Sequence, residues 1–424
     1  MSINRNKFLL LFVISSIIVS CTGLGPQPPT PQPVTLRFAY LGREADYQTL
    51  AEQFHATYPH ITINLIPISY FQSNDTLDRL RAQFKEADVV RSNVGFLGPD
   101  QLAVMRPLDE FLTNDKDIKR DDVFPGLLAA MQHQGEQLGL PAGIDPMVTF
   151  YENMRFKIAK TTPPGADYTL DNFLAAAKDV NNQNEADKTS GKFTYGFCTT
   201  PLGNDPFTFA YLFGGKIFDR FDNPTKPTLD DPANVEAIEW YASLWSEHNV
   251  TPPVSDNPNE IFRYFASSLC GFWMQYYDMI GILQSYLVEP HMLPLPKVKA
   301  PFSFASVDGY YLTVSSSHPQ EAWQWMSFLL QHQEASGMQI PPLVSQIASD
   351  DYAKRVSPEA LAIARGLPHD TEFYRLSVIG ATWVVEINDL FSQAVKQVVE
   401  GKADARAALE EAQKQAEKIF AEKK

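Results

Sequence analysis

The chain has 424 residues, with 35 Lys and Arg against 50 Asp and Glu, a formal net charge of −15 and an isoelectric point near 5.0. With 44% apolar and 20% charged residues, it is neither disordered nor a polytopic membrane protein, and it can bury the core of one large or several ordinary domains. Its acidic balance excludes nucleic acid as a partner, because phosphate neutralisation needs clustered Lys and Arg.

The first element is a targeting segment. Asn4-Arg5-Asn6-Lys7 precedes the apolar run Phe8–Val19, which is short for a membrane span and suited to a signal-peptide core. The run ends in Ile18-Val19-Ser20-Cys21, which resembles a lipobox. The expectation is a signal peptide over 1–20, acylation at Cys21, and an extracytoplasmic protein held to the cell membrane by that lipid. Gly25–Pro33 is dominated by proline, so 21–33 reads as a linker in extended polyproline II, a spacer of about 3 Å per residue.

Beyond Pro33, strands and helices alternate. Val34–Ala39 has period two, and Asp46–Tyr58 carries Tyr47, Leu50, Ala51, Phe54 and Tyr58 at helical spacing before Pro59 stops it. Ile61–Leu65 alternates again, Leu77–Phe84 is helical, and Ala87–Val90 is a short buried strand. This order predicts an α/β protein with a parallel sheet between helices. Ligands of such sheets bind beyond the strands' carboxyl ends, here at Tyr40–Glu44 and Arg91–Phe96. Further helices are expected at Leu170–Val180, Val235–His248, Glu321–His332 and about Ala403–Phe420, the last with a solvated, charge-rich outer face.

Catalytic and cofactor patterns are absent. The eight histidines are scattered, and there is no HExxH, GxGxxG, GxxxxGK[ST] or GxSxG pattern. No metal or cofactor is expected. Once Cys21 is set aside, Cys198 and Cys270 are either a disulfide or two buried thiols. Aromatics crowd beside polar groups in Phe272-Trp273-Met274-Gln275-Tyr276-Tyr277 and Asp308-Gly309-Tyr310-Tyr311. Rings stack on the C–H faces of a sugar while amides and carboxylates hold its hydroxyls, so these runs are candidate sugar contacts.

Four segments in order resemble the extracellular solute-binding proteins of family 1, the maltose-binding-like receptors of ABC importers. They are Gly139–Asn153, with its Gly-Leu-Pro start and Phe150-Tyr151 pair; Thr169–Lys178; Leu229–Pro232 leading to Ala237–Tyr241; and Asp308–Val314 with Pro319–Trp323 behind it. The resemblance implies a two-lobed, type II periplasmic-binding-protein-like fold, each lobe a mainly parallel sheet flanked by helices, with a hinge between. It places 34–143 and 297–332 in lobe 1, and 144–296 and 333–424 in lobe 2. It implies a monomer that holds a small-molecule solute, a sugar, in the interlobe cleft and delivers it to the transmembrane subunits of an ABC permease. Carried over position by position, the implied contacts are Tyr40 and Glu44 (or Arg43) after the first strand, Asn93 where the family often has Asp, and Asp145. Trp273, Tyr276, Tyr310 and Trp383 are the implied ring contacts. The family's Gly-Gly is replaced by Asp308-Gly309 and its Ala-Met by Leu269-Cys270. A second reading is an exported, lipid-anchored carbohydrate-active enzyme, with Glu44 and Asp145 as its acid pair.

Overall fold

The computed structural model describes residues 32–41, 44–68, 76–220, 223–255, 257, 259–283, 287, 289–300, 304–332, 339–373, 375 and 381–422. The signal peptide, Cys21, the linker up to residue 31 and Arg43 lie outside the described residues.

Strand β1 (Val34–Leu41) pairs in parallel with β2 (Ile61–Ile68) on one side and β3 (Val89–Asn93) on the other. The intervening helix Glu44–Thr57 buries Tyr47, Leu50 and Phe54, spaced so that one face meets the sheet. A small hairpin, β4 (Gln132–His133) with β5 (Glu136–Gln137), leads into β6 (Gly139–Glu152), which is buried along its whole length. The remaining strands are β7 (Tyr195–Phe197), β8 (Cys270–Tyr276), β9 (Pro290–Leu293), β10 (Phe304–Leu312) and β11 (Glu372–Phe373). The sheet runs β2-β1-β3-β10-β6-β8-β7, with β11 beside β10 and β9 beside β6.

The sheet is mixed, and the reason is topological. The β2-β1-β3 and β7-β8 ends are parallel, as expected, whereas β10 and β6 run antiparallel to their main neighbours. These two long strands carry the chain between the lobes. β6 pairs with β10 from Gly139 to Pro146 and with β8 from Met147 to Tyr151, so it changes partner within one step.

Two apolar cores sit on either side of that crossing. The first contains Leu36, Phe38, Leu80, Val90, Tyr310 and Trp325; the second contains Phe173, Phe197, Phe209, Ile238, Phe391 and Leu409. Ile340, Leu343, Ile347, Tyr352, Ile363 and Phe373 pack in the first core, although the sequence division places 333–424 in lobe 2; the helices Thr382–Val399 and Ala405–Glu422 pack in the second. Small side chains at Ala405, Ala408, Ala412 and Ala416 let the last helix lie close to its neighbours. Helix Leu170–Val180 has the predicted limits because Thr169 and Asn172 form a reciprocal cap at its start.

Cys198 and Cys270 are joined in a disulfide, their Cα atoms 5.6 Å apart, which closes a loop with a sequence separation of 72 beside the β7–β8 pair.

Candidate functional site

Where β3, β10 and β6 lie side by side, polar residues replace the apolar core. Arg91 on β3 is 3% exposed. Its guanidinium donates to the Tyr47 hydroxyl at 2.6 Å and to Gln339 Oε1 at 2.8 Å, and pairs with Asp308 Oδ2 at 3.1 Å. Asp308 faces Asn93 across the β10–β3 ladder, and Asn93 Nδ2 donates to Asp308 Oδ1 at 2.9 Å. Asn93 Oδ1 in turn accepts from Ser306 Oγ and from the backbone of Gly95. The two departures from the family pattern thus stand opposite each other: the acid missing at residue 93 is supplied from β10 at residue 308. Gly143 is required here, because a Cβ would fall 2.3 Å from Gln339 Oε1.

Asp145 continues this cluster on β6, opposite Ser306. It is 3% exposed and accepts the backbone N–H of Asp278 at 2.9 Å. Burial, and then the neighbouring Asp278 carboxyl, raise its pKa well above the usual range. Burial, reinforced by Asp308, pushes Asp278 up to about 7 against the pull of Arg91. Two acids this close share a proton near neutrality rather than both ionising.

Beside this cluster the structure opens into a cavity of about 420 Å³ whose walls come from both cores. Phe207 and Tyr211, one turn apart on the helix Asp205–Leu212, form one wall; Phe304 on β10 and Phe373 on β11 form another; Val384, Asn388 and Ser392 of the helix Thr382–Val399 close a third. The loop at Leu202–Asn204 borders the cavity. It is anchored behind by Thr199, whose hydroxyl donates to the Asp205 carboxylate and bonds the Tyr241 hydroxyl at 2.6 Å. Burial pushes Asp205 up to about 7, outweighing the stabilising bond from Thr199. Among the described residues, Arg375 is the one basic side chain lining the cavity, and Asp389 the one acidic side chain.

The predicted contacts divide around this cavity. Tyr276 is half-buried and lies opposite Met147, which lines the cavity, in the β6–β8 ladder. Trp383 is half-buried and edge-on to the cavity residue Phe218, ring centres 5.6 Å apart. Asp145 and Asn93 belong to the adjacent polar cluster. Tyr310 is fully buried there and hydrogen-bonded to Tyr47. Tyr40 is fully buried against Tyr47, ring centres 4.3 Å apart, and its hydroxyl has no partner among the described residues. Glu44 is exposed at the start of its helix, accepting from Gln48 at 3.0 Å. Trp273 is sealed in the first core, stacked between Phe150 and Phe265 at 5.7 and 5.5 Å.

Sequence reading missed Phe207, Tyr211, Asn388 and Arg375. The pair Phe207 and Tyr211, spaced i, i+4 after the helix start Asn204-Asp205-Pro206, was a legible signal; Arg375 stands alone in a loop and gave none. Among the described residues, no group of three or more His, Cys, Asp or Glu could hold a metal ion, and no helix is long and apolar enough to cross a membrane.

Residues 40–336 match the sequence profile described as bacterial extracellular solute-binding protein. Solved structures of the same fold include an ABC substrate-binding protein, Lmo0181, from Listeria monocytogenes in complex with cycloalternan, at 18% identity with a TM-score of 0.73 over 92% of this chain and 100% of that one. A solute-binding protein from Thermotoga lettingae bound with alpha-D-tagatose shares 18% identity, with a TM-score of 0.70 over 91% of this chain and 99% of the other. Maltose-bound T. maritima MalE3 shares 17% identity, with a TM-score of 0.68 over 91% and 100%. At these identities the likeness is one of fold.

Proposed function

Since the chain belongs to the bacterial extracellular solute-binding protein family, we propose that it captures a sugar or oligosaccharide between its lobes and delivers it to the transmembrane subunits of an ABC permease. The observation that carries this reading is the cavity of about 420 Å³ walled by rings from both cores. Phe207, Tyr211, Phe304 and Phe373 offer faces for sugar C–H groups, and Asn388, Ser392 and Thr208 offer hydrogen bonds for hydroxyls. Ligand that touches both walls binds the closed state more tightly than the open one, and that difference drives closure about β6 and β10. The protein acts outside the cytoplasm as a monomer, tethered by lipid at Cys21.

The placement of the two nominated acids supports capture without turnover. Glu44 is exposed on its helix while Asp145 is buried against Asp278, so the pair nominated for an enzyme has two unlike environments. Thermal unfolding of the purified protein, screened against mono- and oligosaccharides and polyols, tests the proposal. A ligand at a hundred times its dissociation constant adds about 2.7 kcal/mol to stability. The expected result is stabilisation by one sugar group, with the sugar recovered intact by chromatography. Stabilisation by none, or sugar breakdown, contradicts it.

A further inference from the structure

The cavity contains one group that a neutral sugar leaves unmatched. Arg375 lines it, half-buried, with no hydrogen bond or ion pair among the described residues, and its Nε is shielded from solvent without an acceptor. The Nε atoms of Arg91 and Arg155 are also buried without an acceptor, but those guanidinium groups have other partners: Arg91 has Asp308, Tyr47 and Gln339, and Arg155 donates to the Gly191 carbonyl. Among the described residues that line the cavity the only acid is Asp389, which is exposed and makes no ion pair with Arg375.

A guanidinium withdrawn from water without a counter-charge costs free energy. A hydroxyl restores one hydrogen bond but leaves the charge uncompensated, whereas a carboxylate or phosphate restores both through two parallel N–H···O bonds. Building on the sugar-capture reading, we infer that the cargo is an anionic sugar, a uronate or a sugar phosphate, whose oxyanion is held by Arg375 while its ring lies against the aromatic walls. Phe373 sits two residues before Arg375, on β11 beside β10, so the ring wall and the cation come from one short segment. Arg375 is then the residue that sets specificity, and the aromatic walls supply affinity common to both classes of sugar.

Calorimetric titration of matched pairs into the purified protein tests this: galactose against galacturonate, and glucose against glucuronate and glucose 6-phosphate. Wild type is expected to bind one acidic partner about 10–100-fold more tightly than its neutral parent, the range a charge-assisted hydrogen bond supplies. Whether the uronate or the phosphate carries the gain identifies the source of the oxyanion. Arg375→Gln is expected to bring the acidic sugar's affinity down to about that of its neutral parent with an unchanged melting temperature, and Arg375→Lys to keep part of the preference. Neutral sugars bound as tightly as their acids, with no change in Arg375→Gln, overturn the inference and leave sugar capture standing. Binding of neither class overturns the capture reading itself.

Discussion

Two polar regions lie close together on the same sheet, one around Asp308 on β10 and one around Arg375 just past β11, and they are built in opposite ways. Around Asp308, the side chains of Arg91, Asn93, Gln339, Tyr47 and Ser306 are tied together by hydrogen bonds and an ion pair. Around Arg375 there is a cavity of about 420 Å³, ring walls, and a cation without an acceptor among the described residues. A dense cluster of polar residues is a lock when its members satisfy each other; a binding site is where they do not. The polar cluster joins β3, β10 and β6, and the neighbouring cavity is where recognition is proposed.

The largest expected effect breaks the lock. Asp308→Ala leaves the Arg91 guanidinium buried and unpaired and is expected to cost about 3–5 kcal/mol, read by urea unfolding. A loss under about 1 kcal/mol would move Asp308 from the lock to the ligand site.

The next sharpens the comparison with a third buried acid. Asp205 is hydrogen-bonded by Thr199 yet has no cation beside it, and its pKa rises from 3.8 to about 7 in the folded protein. The folded state holds that proton more tightly than the unfolded chain. The resulting stability is fully present below about pH 4 and is lost as pH climbs to about 7, by roughly 4 kcal/mol at most. Asp205→Asn, which cannot ionise, is expected to remove that contribution to the stability–pH profile between pH 4 and 8, leaving the slope due to Asp145 and Asp278. An unchanged slope would place the titrating group elsewhere.

A smaller effect is expected on the cavity side. Tyr211→Ala removes one ring of the wall and is expected to weaken binding of the best sugar by about 1 kcal/mol, roughly fivefold, in a calorimetric titration. Equal affinity in the variant would take that ring out of the site.

Much of this was legible in the sequence where periodicity is strong. The helix starting at Glu44 and the strands flanking it follow from Tyr47, Leu50 and Phe54 and from the alternation in β1 and β2. β6 was visible only as a motif, because a strand buried on both faces has no polar alternation to mark it. The helix Thr382–Val399 was overlooked behind the single candidate Trp383, though Ile387, Phe391, Ala394 and Val395 mark its buried face. The site was legible in part. Tyr276 and Trp383 stand next to the cavity residues Met147 and Phe218 without lining the cavity themselves, and Trp273 and Tyr276 are an odd number of residues apart on one strand and point to opposite sides of the sheet. Phe272 and Met274 accordingly join the second core while Trp273 joins the first. That parity was readable from the sequence; the pairing of Asn93 with Asp308 was not, because it depends on a β3–β10 register that no local pattern encodes.

The most direct measurement fills the cavity and leaves the lock alone. The sugar that stabilises wild type best is titrated calorimetrically into wild type and into Asn388→Trp, whose new ring projects from the half-buried cavity wall. Binding is expected to disappear in the variant while its melting temperature without sugar stays within a few degrees of wild type. Undiminished binding in Asn388→Trp would contradict the account and return the ligand to the cluster around Asp145 and Asp308.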